Sequence, residues 1–297
     1  MPRRIPLPPE LRRDAFRVST AREAGIGEGR LRGPDLARSF HGIRSPLALP
    51  AALAYAPLLR PGDRFSHTTA AALWPLPLPP DVDPAVHVTA TAPRNAPRGA
   101  GVAGHVGPPG RVVLRSGMPV SDPISLFVEL ATLLDTPDLV AIGDALVLDP
   151  AVLDPHDLRP WITLDELRAG CAATRAHGCR AARRAAELVR VGAESRRETL
   201  LRLLLADAGL PEPELNGHVY DRAGRLIGRF DLVYRRERVL VEYDGDQHRT
   251  SREQYAKDVR RLERAIAAGW FPIRVLAGDL AHASGRIVAR VAAALAR

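Results

Sequence analysis

The chain has 297 residues, of which 46% are hydrophobic and 26% are charged, so two globular domains fit and a disordered or collagen-like protein is excluded. No apolar run is long enough for a membrane span or a signal peptide, so we expect a cytoplasmic protein without a membrane partner. The net charge of +8 comes almost wholly from arginine, which fits either an arginine-rich genome composition or the binding of nucleic-acid phosphates.

Residues 1–48 contain two short predicted helices. Thr20 and Glu23 have capping-box spacing, which predicts a helix that begins at Thr20. Glycines follow, then a second predicted helix from Glu28 to Ala37 and an extended segment over residues 38–45. This order predicts a winged helix-turn-helix, which either contacts DNA or is a structural helical hairpin.

Residues 49–160 predict a small α/β region. Helices are expected over residues 51–59, 66–74, 123–134 and 137–146, and strands over residues 86–89, 102–105 and 112–114. Ser66 is the expected N-cap of its helix, and His67 beside it is expected to be a packed or capping histidine. A Ser–His pair adjacent in sequence lacks the third partner and the oxyanion site of a hydrolase.

Three segments of this half resemble the AbiEi-type antitoxin proteins of abortive-infection systems. They are Arg38 to Pro46, Phe65 to Trp74 and Val86 to Thr89. The resemblance implies a winged helix-turn-helix followed by an AbiEi-like α/β region. As partners, it implies DNA and a cognate toxin protein.

Residues 161–193 form a predicted helical connector that is rich in alanine and arginine. One helix is expected to begin at Leu164, and another to run from Arg180 to Val191. The arginines give this connector a basic face. That face is either a solvated helix surface or a contact to the DNA backbone.

Residues 194–297 are predicted to be a small α/β domain. A helix begins after Ser195, which has capping-box spacing to Glu198. Further helices are predicted over residues 252–268 and 284–297, and strands over residues 226–234, 239–245 and 270–276. The polar segment 235–238 has the length of a hairpin turn between the first two strands. The predicted fold class of the whole chain is therefore α/β in the α+β sense.

The predicted hairpin places three carboxylates together. If Tyr234 pairs with Val239, then Asp231 falls opposite Glu242, and side-chain alternation puts Asp244 on the same face. Like charges in such positions destabilise a sheet, and buried carboxylates require a compensating cation. A divalent metal such as Mg²⁺ supplies that charge in one interpretation, and structural ion pairs supply it in the other.

Nearby charged residues keep both interpretations open. Arg229 falls opposite Asp244 in this register and could neutralise it. Glu198 lies in the first turn of its helix, where it is either a cap residue or a further acid of the site. Lys257 and Arg261 share one helix face at i, i+4 spacing.

Several spaced segments of this region resemble the bacterial domain-of-unknown-function family 559. That family is similar to the very-short-patch-repair endonucleases of the PD-(D/E)XK nuclease superfamily. The resembling residues are Glu194, Ser195, Glu198, Gly209 to Pro213, Gly228 to Leu232, Val241 to Gly245, His248, Asp258, Arg261, Gly269 and Trp270. The resemblance implies a restriction-endonuclease-like three-layer domain that hydrolyses DNA phosphodiesters with Mg²⁺ or Mn²⁺.

The resemblance also implies roles for single residues. Asp231 matches the metal-binding aspartate and Glu242 matches the second acid of the motif. Asp244 stands where the superfamily usually has a lysine. Lys257 could supply that missing cation, and His248 is either a proton shuttle or phosphate contact, or a loop histidine.

The sequence therefore predicts a metal-dependent DNA endonuclease joined to a DNA-binding, antitoxin-like half. Glu198 is the candidate third metal ligand, and Arg229, Arg249 and Arg261 are the candidate contacts to DNA. Two alternatives stay open. The chain could be a non-enzymatic DNA-binding regulator with an inactive nuclease fold, or an antitoxin that neutralises a toxin by protein contact.

Overall fold

The computed structural model of the chain describes residues 6–244 and 252–297. The chain divides into two units, residues 1–132 and residues 133–297. Both units combine helices with β-sheets, so the predicted α+β class is confirmed. Among the described helices, none is long and apolar enough to cross a membrane.

Two short helices and a two-stranded sheet begin the first unit. Strand β1 (Phe16–Arg17) pairs antiparallel with β2 (Ile43–Arg44), and helices α1 (Val18–Glu23) and α2 (Glu28–Leu31) lie between them in sequence. The chain leaves β1 directly into α1, so the predicted helix start and capping box at Thr20 are wrong.

Helix α2 is shorter than predicted. It ends at Leu31 and does not reach Ala37. Pro34 explains the early end, because proline disfavours helical backbone at the preceding residue, here Gly33.

A five-stranded mixed sheet forms the centre of the first unit. Its order is β5-β4-β3-β7-β6, and the β4–β5 and β3–β7 pairs are parallel. The elements are α3 (Ala51–Tyr55), β3 (Asp63–Phe65), α4 (His67–Leu73), β4 (Val86–Thr91), β5 (Val102–Gly107), β6 (Val112–Arg115), β7 (Met118–Ser121) and α5 (Pro123–Leu130). Strand β3 was not predicted because it has only three residues, and β7 was not predicted because it contains Pro119, which disfavours a strand assignment.

Helix α4 begins after Ser66 as predicted, but the Ser66 side chain does not cap it. The Ser66 hydroxyl instead contacts Nδ1 of His67 at 3.0 Å. His67 is therefore held by its neighbour in sequence at the point where the helix begins.

Four helices pack together at the start of the second unit. They are α6 (Thr136–Leu146), α7 (Leu164–Ala173), α8 (Cys179–Leu188) and α9 (Arg196–Asp207). Because α6 contacts both α8 and α9, the predicted connector of residues 161–193 belongs to a packed helical layer. The predicted divisions at residues 160 and 193 lie inside this unit.

A four-stranded sheet with the order β11-β10-β9-β8 follows. Its strands are β8 (Glu214–Tyr220), β9 (Leu226–Tyr234), β10 (Val239–Asp244) and β11 (Phe271–Leu276). The hairpin register is the predicted one, since Val239 pairs with Tyr234 and Val241 pairs with Leu232. Strand β8 was not predicted, because Asn216 and Gly217 interrupt its alternating pattern.

Helices cover both faces of this sheet. Helices α9 and α12 (Ser284–Leu295) pack on one face, through residues such as Leu201 and Ile287. Helix α10 (Arg252–Ala267) packs on the other face, where Ala265 joins an apolar cluster. The short helix α11 (Ala277–His282) connects β11 to α12.

A buried ion pair links the helical layer to the loop before β8. Arg202 of α9 is only 1% exposed. Its guanidinium contacts Asp144 of α6 at 3.2 Å and Glu212 at 2.9 Å. Burial raises the pKa of Asp144 to about 6, although Arg202 acts in the opposite direction.

Replacing Arg202 with methionine should lower the free energy of unfolding by about 3–5 kcal/mol, because the buried Asp144 carboxylate then has no cation. Urea denaturation of the full chain measures the loss. Arg225→Met at the exposed Arg225–Asp221 pair is the matched control and should change stability little. Equal losses in the two variants would contradict a structural role for the buried pair.

Candidate functional site

Strand β9 is irregular at Asp231. The pairs of β8 with β9 keep one register on both sides of this position, but Asn216 and Asp231 do not pair. Asn216 has a φ of 47°, in the left-handed region that asparagine tolerates better than most residues. Phe230 and Leu232 consequently pack on opposite faces of the sheet, whereas alternate residues of a regular strand share one face.

The Asp231 carboxylate replaces a backbone acceptor at this irregularity. The pairing of β9 with β10 ends at Leu232 and Val241. Beyond that pair, the Tyr243 N–H donates to Oδ2 of Asp231 at 2.8 Å. Asp231 therefore lies where β9 leaves β10 and where its pairing with β8 skips one position, beside the part of β10 that carries Glu242.

Glu242 faces helix α10. Val241 packs against the α9 side of the sheet and Leu240 against the α10 side, so alternation directs Glu242 towards α10. Arg261 of α10 binds it, with Nη2 at 2.7 Å from Oε1. The acid thus has a cationic partner in the protein itself.

The position of Arg261 depends on its contacts with strand β9. Its guanidinium lies 4.6 Å from the centre of the Phe230 ring and donates to the carbonyl of Arg229. A Cβ atom at Gly228 would lie 2.6 Å from Cδ of Arg261. Glycine at position 228 therefore permits the close approach that brings Arg261 to Glu242.

Glu198 completes the acidic cluster from helix α9. Its Oε2 accepts hydrogen bonds from the amide of Glu194 at 2.9 Å and from Nδ2 of Asn216 at 2.7 Å, and its Oε1 accepts from Oγ of Ser195 at 2.8 Å. Glu198 reaches back to Ser195 as predicted, but the capping box is incomplete, because its carboxylate accepts from the amide of Glu194 and not from that of Ser195. Glu198 also anchors the residue that lies beside the break in β9.

The three acids leave the site rich in negative charge. The pKa of Asp231 is raised to about 7, mainly by burial and also by the charges of Glu198 and Glu242, whereas the Tyr243 amide and Arg261 act in the opposite direction. Burial also raises the pKa of Glu242, against the effect of Arg261. Asp231 is therefore the carboxylate at which a proton or a cation is most strongly favoured.

The predicted ion pair between Arg229 and Asp244 is wrong. Arg229 binds Glu194 at 2.7 Å, and Asp244 binds Arg274 of β11 at 3.0 Å. The register does not extend past Asp231, so Arg229 does not reach Asp244. The parallel pairing of β10 with β11 brings Arg274 beside it instead.

The remaining predicted residues lie apart from the acids or outside the described chain. Lys257 is exposed and lines a surface groove of α10 with Arg260 and Arg264. His248 and Arg249 lie outside the described residues. The roles predicted for all three stay predictions.

The acids do not form a ready-made set of three metal ligands. Within residues 6–244 and 252–297, the carboxylate oxygens of Asp231, Glu242 and Glu198 do not all lie within 4.8 Å of one another. Any cation held here would contact fewer of these side chains, or would draw them closer together.

The sequence analysis missed two residues of the site, Asn216 and Arg274. Asn216 lies in the unpredicted strand β8, and its partnership with Glu198 depends on the fold. Arg274 lies in a strand that was predicted, but its neighbour across a parallel pair is not set by local sequence. The Asn216-Gly217 dipeptide, a turn signal inside a segment with strand-like residues, could have drawn attention to position 216.

No family model matches the chain. The uncharacterized proteins Rv2248 and MT2308, from two strains of Mycobacterium tuberculosis, are each 30% identical to it over 105 residues. That match covers 35% of this chain and 38% of each relative. The crystal structure of the M. tuberculosis protein Rv2827c is 16% identical, with a TM-score of 0.36, and the match covers 70% of this chain and 83% of that one.

The raised pKa of Asp231 predicts a pH-dependent stability. Its pKa is about 7 in the folded chain against 3.8 for a free side chain, a difference on the order of 4 kcal/mol. The folded state holds the proton more tightly, so the stabilisation is complete below about pH 4 and is lost as the pH rises through about 7.

Asp231→Asn keeps an acceptor for the Tyr243 amide and removes the charge. Its unfolding free energy relative to wild type, measured with chelator present, should increase between about pH 5 and pH 8. Asp207→Asn, at an exposed position, controls for the loss of one carboxylate. An advantage of Asp231→Asn that stays constant over this range would show that the acid cluster does not perturb Asp231.

Proposed function

We propose that the second unit is a metal-dependent DNA endonuclease. The proposal rests on the Asp231 carboxylate, which is half-buried at an irregularity of β9 beside the buried acids Glu198 and Glu242. Clustered carboxylates without enough compensating positive charge destabilise a folded protein. Such carboxylates are suited to holding a metal ion for the hydrolysis of a phosphodiester.

The arrangement of the unit supports the restriction-endonuclease-like domain implied by the sequence resemblance. Helix α9 precedes three antiparallel strands, helix α10 follows them, and β11 then adds parallel to β10. The sheet lies between α9 and α12 on one face and α10 on the other, as a three-layer domain requires. Asp231 and Glu242 lie on adjacent strands at its centre.

The donor set fits Mg²⁺ or Mn²⁺, because both ions favour carboxylate oxygens. Asp231 and Glu242 would hold the ion, and Glu198 would contribute through its charge and through its bond to Asn216. When bound, such an ion lowers the pKa of a water molecule and offsets charge on the leaving oxygen. Arg261, whose side chain is 24% exposed, would divide its contacts between Glu242 and a substrate phosphate.

A basic groove in the first unit supports the DNA-binding half of the proposal. No acidic residue is present among the described residues that line it. Arg22 and Arg60 also pair with Glu28 and Asp63, which lie outside the lining. The phosphate backbone of DNA would bind in this groove. Its arginines are Arg17, Arg22, Arg38, Arg44, Arg60 and Arg98.

Two ion pairs favour a second candidate, a DNA-binding regulator or antitoxin whose nuclease fold is inactive. Arg261 neutralises Glu242, and Arg274 neutralises Asp244, without any metal. In that case the groove would still bind DNA, and the acids would be structural. Cleavage separates the two candidates.

Plasmid nicking by the purified full chain tests the enzyme. Mg²⁺ or Mn²⁺ should support nicking, and Asp231→Ala or Glu242→Ala should slow it by at least about 10–100-fold, the loss caused even by changes near metal ligands. Asp207→Ala should retain the wild-type rate, because that side chain is exposed at the end of α9. Absence of metal-dependent cleavage on every DNA form would leave the regulator.

Salt-dependent binding to a short duplex tests the groove. Arg22→Ala with Arg98→Ala should lower the slope of log K against log salt by about 2, since each lost phosphate contact contributes about 0.9. The pair Arg180→Ala with Arg184→Ala, on the exposed face of α8, is the matched control. If only the α8 variant loses slope, the connector contacts DNA and the groove does not.

A further inference from the structure

Three histidines from separate elements of the first unit meet in space. His67 begins α4, His87 lies in β4 and His105 lies in β5. One ring nitrogen of each lies within 4.8 Å of the others. His67 and His87 are only 6% and 3% exposed, and His105 is partly exposed, so the cluster is buried but reachable from one direction.

The rings contact one another directly. Nδ1 of His87 lies 3.0 Å from Nε2 of His105. The His67 ring stacks on the His105 ring with a centroid distance of 3.9 Å, and it lies 5.2 Å from the His87 ring. The parallel pairing of β4 with β5 sets this arrangement, because it places His105 opposite Thr89, one pleat beyond His87.

The environment keeps these rings neutral. The pKa of His67 is lowered to about 3, mainly by burial and also by its neighbours His105, His87 and Arg64. Burial also lowers the pKa values of His87 and His105. A neutral imidazole has a free lone pair, which is the form that binds a metal ion.

Polar atoms without a hydrogen-bond partner lie around the cluster. Among the described buried atoms, Nε2 of His87, Oγ1 of Thr89 and Nη1 of Arg64 have no partner. Leaving a buried polar group unpaired costs about 1–3 kcal/mol, so water or an anionic ligand that pairs with these groups would stabilise this region.

His67 is held in place by the surrounding residues. Its φ of 48° lies in the left-handed region, a strained backbone that persists where neighbouring contacts enforce it. Its amide donates to Oε2 of Glu129 at 3.4 Å, and Glu129 pairs with Arg64 at 3.2 Å. Ser66 contacts Nδ1 of His67 at 3.0 Å, which leaves Nε2 as the nitrogen that faces the cluster.

We propose that His67, His87 and His105 form a binding site for one divalent transition-metal ion of the zinc class. Imidazole nitrogens are preferred ligands of such ions, whereas Mg²⁺ prefers oxygen. Zinc–nitrogen bonds of about 2.0–2.1 Å in tetrahedral geometry place two nitrogens about 3.3 Å apart, close to the His87–His105 spacing.

Three protein ligands leave one coordination position for water or an anionic ligand. Because a metal ion lies in the plane of each imidazole that binds it, and the ring planes here are 14° to 34° apart, at least one ring must turn about χ2 when the ion binds. This site uses nitrogen donors in the first unit and does not depend on the acids of the second.

Titration of the chelator-treated full chain with Co²⁺, a spectroscopic probe for zinc sites, tests the proposal. We expect one Co²⁺ per chain with visible d–d absorption that Zn²⁺ removes. His87→Gln and His105→Gln should each weaken binding at least about 10-fold. His177→Gln, at an exposed histidine, and Asp231→Ala should retain it, which separates this site from the proposed nuclease site.

The wild-type chain gives an answer even where a histidine variant does not fold. Zn²⁺ should raise its unfolding temperature, and it should shift the imidazole ¹⁵N signals of three of the nine histidines. Saturable binding that is unchanged in both folded variants, or a wild-type chain with no imidazole shifts, would overturn the proposal. A hydrogen-bonded histidine cluster without affinity for metal would then remain.

Discussion

The candidate site of the second unit depends on one half-buried carboxylate, Asp231, at an irregularity of the β-sheet. At Asp231, strand β9 has left β10 and its pairing with β8 skips one position, and the side chain accepts a backbone hydrogen bond from Tyr243. The carboxylate is thereby fixed inside the fold beside two further acids, Glu198 and Glu242. Desolvation and the neighbouring negative charges both disfavour the ionised form of Asp231, so a proton or a bound cation would stabilise this part of the structure.

Arg261 compensates only part of the negative charge of these three acids. It binds Glu242 from α10 and approaches closely over Gly228, whereas Asp231 interacts with it more weakly than with the neighbouring acids. This imbalance distinguishes the site from the Arg202–Asp144 pair, in which a buried guanidinium contacts the acid directly. The Arg202–Asp144 pair holds helices together. The acid cluster around Asp231 leaves a negative charge without a close partner, and this favours the proposed metal ion over a purely structural network.

The hairpin could be predicted from the sequence because the residues that set its pairing lie close together in the chain. Alternating apolar residues and a turn of fixed length set the pairing of Tyr234 with Val239. The same register, extended further, wrongly paired Arg229 with Asp244, because the break at Asp231 depends on Asn216 in a neighbouring strand. For the same reason no local pattern could bring His87 and His105 to His67, since parallel strands and a helix end meet only in the folded unit.

If the half-buried Asp231 carboxylate lacks a compensating charge, the pKa of its carboxyl group must be raised. Carboxyl ¹³C NMR of the full chain, with Asp231→Asn to assign the signal, gives the value with and without Mg²⁺. We expect a midpoint near 7 in chelator and a clear fall when Mg²⁺ is added, because the ion favours the carboxylate. A midpoint near 4 that Mg²⁺ does not move would contradict the account.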